Sequence, residues 1–360
     1  MADTLTPPAP AATKRPKSTR RASDRIFLGL SAGSASLIMV ILAGVAIFLI
    51  IKGIPAITAN WATNADLSSI QNPAHRPWGS FWEYVGPLLW GSIWSALIAM
   101  VLGAPVAIGI ALFISHYAPR RIAGFLGYIV DLLAAVPSIV FGLWGIIVIR
   151  PFLLPLSDFL NTYFGWIPLF SGPVSSTGST MLAGGVVLAV MILPIVTSIT
   201  REIFLQTPRL HEEAALALGA TRWEMIRLAV FPYARSGMVS ATLLGLGRAL
   251  GETMAIALII SPSLIYSLLI LTDGYNSQTI AANIALNFPV ASDIQRSALI
   301  GTGLMLFVVS LAVNMLARYI VTATGPGKKR RGRKARAVST ASAAPQVSTI
   351  TTANTEGQSA

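Results

Sequence analysis

The chain has no cysteine and only three histidines, His75, His116 and His211, which lie far apart in sequence. The first absence excludes disulfides, thiolate metal sites and a cysteine nucleophile. The second argues against a histidine-built metal centre, so neither a metal nor a cofactor is expected. Charge is scarce too. Only 11% of the 360 residues are charged, against about a quarter in a soluble domain. A G-x-x-x-x-G-K-[ST] phosphate loop is also missing. The nearest fragment, Gly327-Lys328-Lys329, lacks both the upstream Gly and the following Ser or Thr. No His–carboxylate cluster or nucleophile–base pair is visible, so no catalytic residue is named. Together these absences exclude a soluble enzyme and a secreted disulfide scaffold, and they indicate that the chain does not itself hydrolyse ATP.

What the sequence has instead is apolar length. Hydrophobic residues make up 54% of it, more than a chain surrounded by water can cover. A helix needs about 20 mostly apolar residues to cross a bilayer, and six stretches qualify: Ile26–Ile51, Leu88–Ile114, Ile122–Ile149, Thr180–Ile199, Gly237–Ile260 and Ala298–Val321. The first is too long for the core of a cleaved signal peptide, which is about 7 to 15 residues.

The formal net charge of +12 would suit a nucleic-acid binder, but its distribution does not. Basic residues gather in the two ends and in the segments that follow the second and fourth stretches. With alternating sides, twenty-one Lys and Arg fall on one side and four on the other (Lys52, Arg76, Arg150 and Arg296), leaving Arg248 inside the fifth stretch. That asymmetry puts both termini in the cytoplasm and leaves no nucleic-acid partner to expect. Residues 1–24 and 323–360 are too poor in apolar surface to offset ordering entropy and read as disordered basic tails. The cluster Lys328–Arg336 reads as a topology anchor drawn to anionic membrane lipid. On the outer side, Trp61, Trp78, Phe81, Trp82 and Tyr84 read as an interfacial aromatic belt, with a re-entrant or docking element as the alternative, and residues 150–179 and 261–297 as loops able to rest against an extracytoplasmic partner.

The segment from about 201 to 235 carries the most information. Helix formers run from His211 to Leu218, and Gly219 stops them. Thr221 and Glu224 have capping-box spacing for a second helix, and Pro232 is expected to end that helix. The result is a helical hairpin on the cytoplasmic side, suited to docking in a groove of another protein. Its residues Glu213-Ala214-Ala215, three residues, Gly219, nine residues and Ala229-Val230-Phe231-Pro232 resemble the EAA–x3–G–x9–I–x–L–P loop of ABC importer permeases, with apolar replacements at Ala229 and Phe231. Leu132–Gly145, Leu193–Phe204 and Gly245–Leu258 resemble the phosphate-specific members. The Gly-Arg-Ala-Leu-Gly-Glu-Thr-Met form within Gly245–Leu258 is similar to the PstC-type subunit. The likeness spans about Phe81 to Val321.

This resemblance implies an all-α integral membrane protein with six transmembrane helices, cytoplasmic termini and a permease domain at 25–322. It implies a subunit of an ATP-driven inorganic phosphate importer in the bacterial plasma membrane. Its partners would be a second, PstA-type permease, a PstB-type cytoplasmic ATPase dimer and a PstS-type extracytoplasmic phosphate-binding protein. Glu213, Ala214, Ala215 and Gly219 would couple it to the ATPase.

Arg248 falls near the middle of the fifth stretch, where burying an arginine costs at least about 2.5 kcal/mol. Glu252 is four residues on, close to the same helical face. The pair reads either as a salt bridge joining helices or as part of the substrate pathway, with the guanidinium fork matched to phosphate oxygens and Thr253 beside it. Gly247 and Gly251 read as a helix-packing seam, Pro105, Pro137 and Pro194 as kinks, and Asp131 as a hydrated or paired carboxylate. Another oxyanion such as molybdate or sulfate is the main rival substrate. A gradient-driven secondary transporter or a membrane enzyme ranks below both.

Overall fold

The computed structural model describes residues 22–324 apart from 71, 74, 76 and 262. Arg76, the cluster Lys328–Arg336 and most of both tails lie outside the described residues. Ala22–Asp24 and residues 323 and 324, assigned above to the tails, are helical.

The described residues form α1 (Ala22–Thr58), α2 (Ala65–Ser68), α3 (Phe81–Leu112), α4 (Arg120–Ala134), α5 (Ser138–Trp144), α6 (Arg150–Phe164), α7 (Met181–Leu205), α8 (Arg209–Ala217), α9 (Arg222–Met225), α10 (Phe231–Leu250), α11 (Met254–Ile259), α12 (Ile280–Asn287) and α13 (Asp293–Thr324). Three π-helical turns, Phe113–Tyr117, Gly145–Ile149 and Ile226–Val230, extend or join them. Among the described residues the only β-pairing is an isolated bridge between Ser263 and Ser277. Helix starts follow the local sequence. Ser80 Oγ accepts from Glu83 N at 3.3 Å while Glu83 Oε2 accepts from Gly79 N, and Thr180 Oγ1 accepts from Ala183 N at 3.1 Å. The Ser80 and Thr180 hydroxyls each satisfy a first-turn N–H that has no helical partner, and Glu83 reaches back to an N–H just before the helix.

Among the described residues five helices are long and apolar enough to cross a membrane: Ile26–Thr58, Phe81–Tyr117, Ser138–Phe164, Met181–Leu205 and Asp293–Leu316. Two expected stretches are cut differently. The third does not run through Ile122–Ile149, because the helix breaks at Ala135–Pro137 and resumes to Phe164. Pro137 lacks an N–H and biases Val136 away from helical angles. The outer segment expected as a loop from residue 150 is therefore helical as far as Phe164. The fifth stretch, Gly237–Ile260, is two helices, α10 and α11, parted at Gly251–Thr253. By contrast, Pro105 and Pro194 are absorbed within the continuous helices α3 and α7.

Helix α7 is the axis of the bundle, with two thirds of its apolar window buried. Val187, Leu188, Met191 and Ile192 pack with Ala96 and Ala99 of α3, Phe141 of α5, and Ala255, Ile256 and Ile259 of α11. A second core lies at one end of the bundle, and it corrects the aromatic-belt expectation. Trp61, Trp78, Phe81 and Tyr84 are each no more than 3% exposed and stack on one another with Leu67 and Leu88, whereas Trp82 alone faces outwards at 59%. Period counting places aromatics near a water boundary but cannot tell a lipid-facing ring from one folded under a connecting segment.

Residues 263–279 are not a free loop. Thr272, Asn276 and Ser277 are fully buried, and Asn276 ties the start of α7 by donating to Ser179 O at 2.6 Å and accepting from Met181 N at 3.2 Å. Ser92 Oγ of α3 accepts from Ile280 N at 2.9 Å. Gly91 lets the segment lie against α3, since a Cβ there would meet Gln278 O at 2.3 Å and Ser277 O at 2.7 Å. Both are backbone atoms and cannot rotate aside. Gly91→Ala is expected to cost about 1–3 kcal/mol, as overpacking does, read as a fall of several degrees in the melting temperature of the detergent-solubilised protein.

Candidate functional site

The two motifs singled out in the sequence lie at different places in the fold. The first is the break in the fifth stretch. Helix α10 ends at Leu250, and Gly251 leaves the helical angles at φ −91° and ψ 1°. Glu252 then turns inwards and is 8% exposed, and its Oε1 accepts from Ala255 N at 3.1 Å in the first turn of α11. Thr253 sits at the N-cap of α11 and donates from Oγ1 to Gly251 O at 3.2 Å. Because the helix is broken between them, Arg248 and Glu252 do not sit one turn apart on a single helix. No ion pair joins them: the ion pairs among the described residues are His116–Glu212, Arg201–Asp131 and Arg296–Asp293. Arg248 occupies the last turn of α10, where its charge suits the helix's carbonyl end, and its Nε is buried with no hydrogen-bond partner.

Within this chain the expected glycine seam meets no neighbouring helix. A Cβ on Gly247 would meet nothing within 4 Å, and one on Gly251 would meet only backbone oxygens of its own helix turn. The glycines of α10 that do pack are Gly237, whose Cβ would lie 2.6 Å from Ile203 Cδ1, and Gly245, whose Cβ would lie 2.7 Å from Val196 Cγ2, both on α7.

The second motif is the hairpin of α8 and α9. Gly219 has φ +83°, the left-handed region that favours glycine. It donates to Leu216 O at 3.0 Å, and Ala220 N donates to Ala215 O at 3.2 Å, closing the end of α8. The capping box expected from Thr221 and Glu224 forms. Glu224 Oε2 accepts from Thr221 N at 2.8 Å and from Thr221 Oγ1 at 2.9 Å, while Glu224 N donates to Thr221 Oγ1 at 3.3 Å. The Thr221 N–H, followed by its hydroxyl, holds the Glu224 carboxyl below the usual carboxylate range. Its stabilising contribution is complete above the unfolded-state value and is lost as pH falls through the depressed one.

Pro232 does not end the second helix. It lies in the first turn of α10, directly after the π turn Ile226–Val230, so the chain stays helical from Arg222 to Leu250. The wider turn and the first-turn position accommodate a residue with no N–H to give.

The hairpin has two faces. Glu213, Ala214 and Gly219 are exposed, as are Leu210 and Leu218. Ala215 points the other way and packs with Phe204, Ile226, Val230 and Phe231. On the inner side His116 Nε2, in the π turn after α3, lies 3.7 Å from Glu212 Oε1, and Ser115 Oγ is 2.7 Å from His116 Nδ1. Asp131 of α4 is paired, with Arg201 of α7 at 3.9 Å. Gly127 makes room for that guanidinium, because a Cβ there would fall on Arg201 Nη1. Neither pair was legible as a pair in the sequence, since each joins residues separated by some 70 positions or more.

Comparison with known proteins fits this geometry. Residues 103–325 match the family model described as the inner membrane component of binding-protein-dependent transport systems. The chain is 45% identical over 308 residues to the phosphate transport system permease protein PstC 2 of Mycobacterium tuberculosis, covering 83% of this chain and 92% of that protein. It is 44% identical over 283 residues to PstC of Mycobacterium leprae, covering 76% and 86%. The chain belongs to this permease family, in its PstC branch. A bacterial alginate ABC transporter chain has the same fold, with a TM-score of 0.53 over 83% of this chain and 94% of that one at 15% identity. The matched region of this PstC-family permease contains both motifs. It leaves out α1 and the first two thirds of α3. Membership makes the chain an inner-membrane transport component, as its long apolar helices require.

Proposed function

We propose that this chain is one of two permease subunits of an ATP-driven importer of inorganic phosphate. In this reading it crosses the bacterial plasma membrane six times, with both termini in the cytoplasm and the broken helix α10–α11 counted as the fifth span. The observation that carries the substrate is the close likeness to permeases named for phosphate transport across most of their length.

The site chemistry supports an anion. Arg248 is a half-buried permanent cation at the end of α10, and Glu252 is engaged with α11 with no ion pair to it among the described residues. A tetrahedral anion arriving at the break would meet a guanidinium fork to which no carboxylate of the described residues is paired, and Thr253 lies at the same break. Glu252 keeps the start of α11 in place beside the anion.

Energy comes from partners. A PstB-type ATPase dimer docks on the exposed face of Glu213, Ala214 and Gly219, while Ala215 on the opposite face passes the movement to Phe204 and Ile226, and so to α7 and α10. A PstA-type permease completes the pathway, and a PstS-type binding protein delivers phosphate from outside.

The test is uptake of labelled phosphate at micromolar concentration in cells with and without the gene, with excess sulfate or molybdate added and with ATP depleted. Uptake that needs the chain and ATP and ignores both competitors is the expected result. Unchanged phosphate uptake with paralogues excluded would move the substrate to another oxyanion. Uptake that survives ATP loss on a gradient alone would overturn the ATP-driven reading.

A further inference from the structure

In the sequence Arg150 is only one of four basic residues on the less charged side. In the fold it lies where the π turn Gly145–Ile149 meets α6, and its Nη2 donates to Leu258 O at 2.9 Å and also to Ile259 O. Those are carbonyls of the last turn of α11, which have no helical partners of their own. Ile259 and Ile260 are buried, so water is not at hand to satisfy the end. Gly178, at φ +71°, closes over the arginine, since a Cβ there would sit 3.0 Å from Arg150 Cβ and 3.2 Å from its carbonyl oxygen.

The opposite end of α11 is held by Glu252 through Ala255 N. An acid at the amino end and a base at the carboxyl end both complement the helix dipole. The flanks are held by close approach. A Cβ on Gly142 would meet Ala255 Cα at 3.0 Å, one on Gly145 would meet Ile259 Cδ1 at 2.7 Å, and one on Gly184 would meet Ile260 Cδ1 at 2.7 Å. Six residues make too short a helix to persist alone, yet α11 is fixed at both ends and along two sides. Its start is the break that carries Glu252 and Thr253 and follows Arg248.

We infer that Arg150 is a positioning residue for transport. It anchors the far end of α11 so that the break at Gly251–Thr253 keeps one geometry, and it acts on the anion path without touching the anion. This rests on the phosphate-permease reading for its transport consequence and on the structure alone for its mechanical one.

The experiment uses the full transporter with its partners. Variants are Arg150→Gln, Arg150→Lys, Glu252→Gln and the Arg150→Gln/Glu252→Gln double. Hydrogen exchange of the amides of residues 254–260 and the concentration dependence of labelled phosphate uptake are both measured. Arg150→Gln should raise exchange across 254–260 at least tenfold and reduce uptake at least tenfold in complexes that still assemble. Arg150→Lys, which keeps a charge and a donor, should recover most of both. The double variant should lose less uptake than the product of the two single losses, because both residues hold one helix.

Unchanged exchange in Arg150→Gln, or full independence of the two substitutions, would overturn the inference. Should Arg150→Gln fail to assemble, Arg150→Lys decides: uptake and exchange both at the wild-type level leave the anchor in place, and exchange unchanged while uptake is lost removes it. If the wild type carries no phosphate while Arg150→Gln still loosens 254–260, the substrate reading fails and the anchor stands.

Discussion

Arg248→Gln is expected to reduce phosphate uptake at least tenfold while the permease still assembles with its partners. Glutamine is shorter than arginine but polar and unbranched at Cβ and Cγ, and it leaves the packing of Gly245 and Ala249 against neighbouring helices untouched, so the substitution removes the charge and the guanidinium fork without disturbing the helix packing. A hydrogen bond to a charged group contributes about 1.5–3 kcal/mol, which is roughly a tenfold to hundredfold change for one such bond. Because no acid among the described residues is paired with Arg248, removing the cation strands no described carboxylate, and assembly should survive. Arg248→Lys should fall between the two, since an ammonium keeps the charge but loses the planar fork. Uptake of labelled phosphate, set beside the amount of complex recovered by co-purification, measures both. Normal uptake by an assembled Arg248→Gln transporter would remove Arg248 from the pathway.

The second large effect is expected at Gly219. Its φ of +83° lies in a region that costs a residue with a Cβ about 1–2 kcal/mol, and more for a β-branched side chain. A Cβ there would meet nothing within 4 Å, so the whole effect is backbone conformation and not collision. Gly219→Val should therefore rearrange the turn between α8 and α9 and lower uptake about tenfold or more, with the bundle itself still folded. Gly219→Ala should lie between, and Gly219→Asn should stay nearest to wild type, because asparagine tolerates left-handed angles. Transport and phosphate-dependent ATP hydrolysis measured on the same reconstituted complexes give the order. If valine and asparagine behave alike, the shape of this turn does not transmit the stroke.

The hairpin was read almost completely from sequence because its signals are local. Gly219, Thr221 and Glu224 act within one or two turns, and the capping box formed between the residues the spacing named. Pro232 was misjudged because its effect depends on the turn before it, and a π turn there was not visible in composition. Trp61, Trp78, Phe81 and Tyr84 depart from the belt expectation for a similar reason, while Trp82 faces outwards. Their number and spacing suit a belt, but burial depends on what else folds over them.

The sequence by itself determined that this protein lives in lipid, which of its ends and loops hold the basic charge, that it has no phosphate loop of its own, and which segment between two apolar stretches folds as a capped helical hairpin. Those properties follow from apolar length, charge distribution and short-range spacing, which survive in one dimension. Only the tertiary structure decided that the fifth stretch breaks at Gly251, that Glu252 serves α11 and makes no ion pair with Arg248 among the described residues, and that Arg150 donates to carbonyls of the same helix 108 and 109 residues away. Those facts depend on which chain segments meet, and inside a bundle without water every exposed backbone group at a helix break must find its partner from a distant part of the chain.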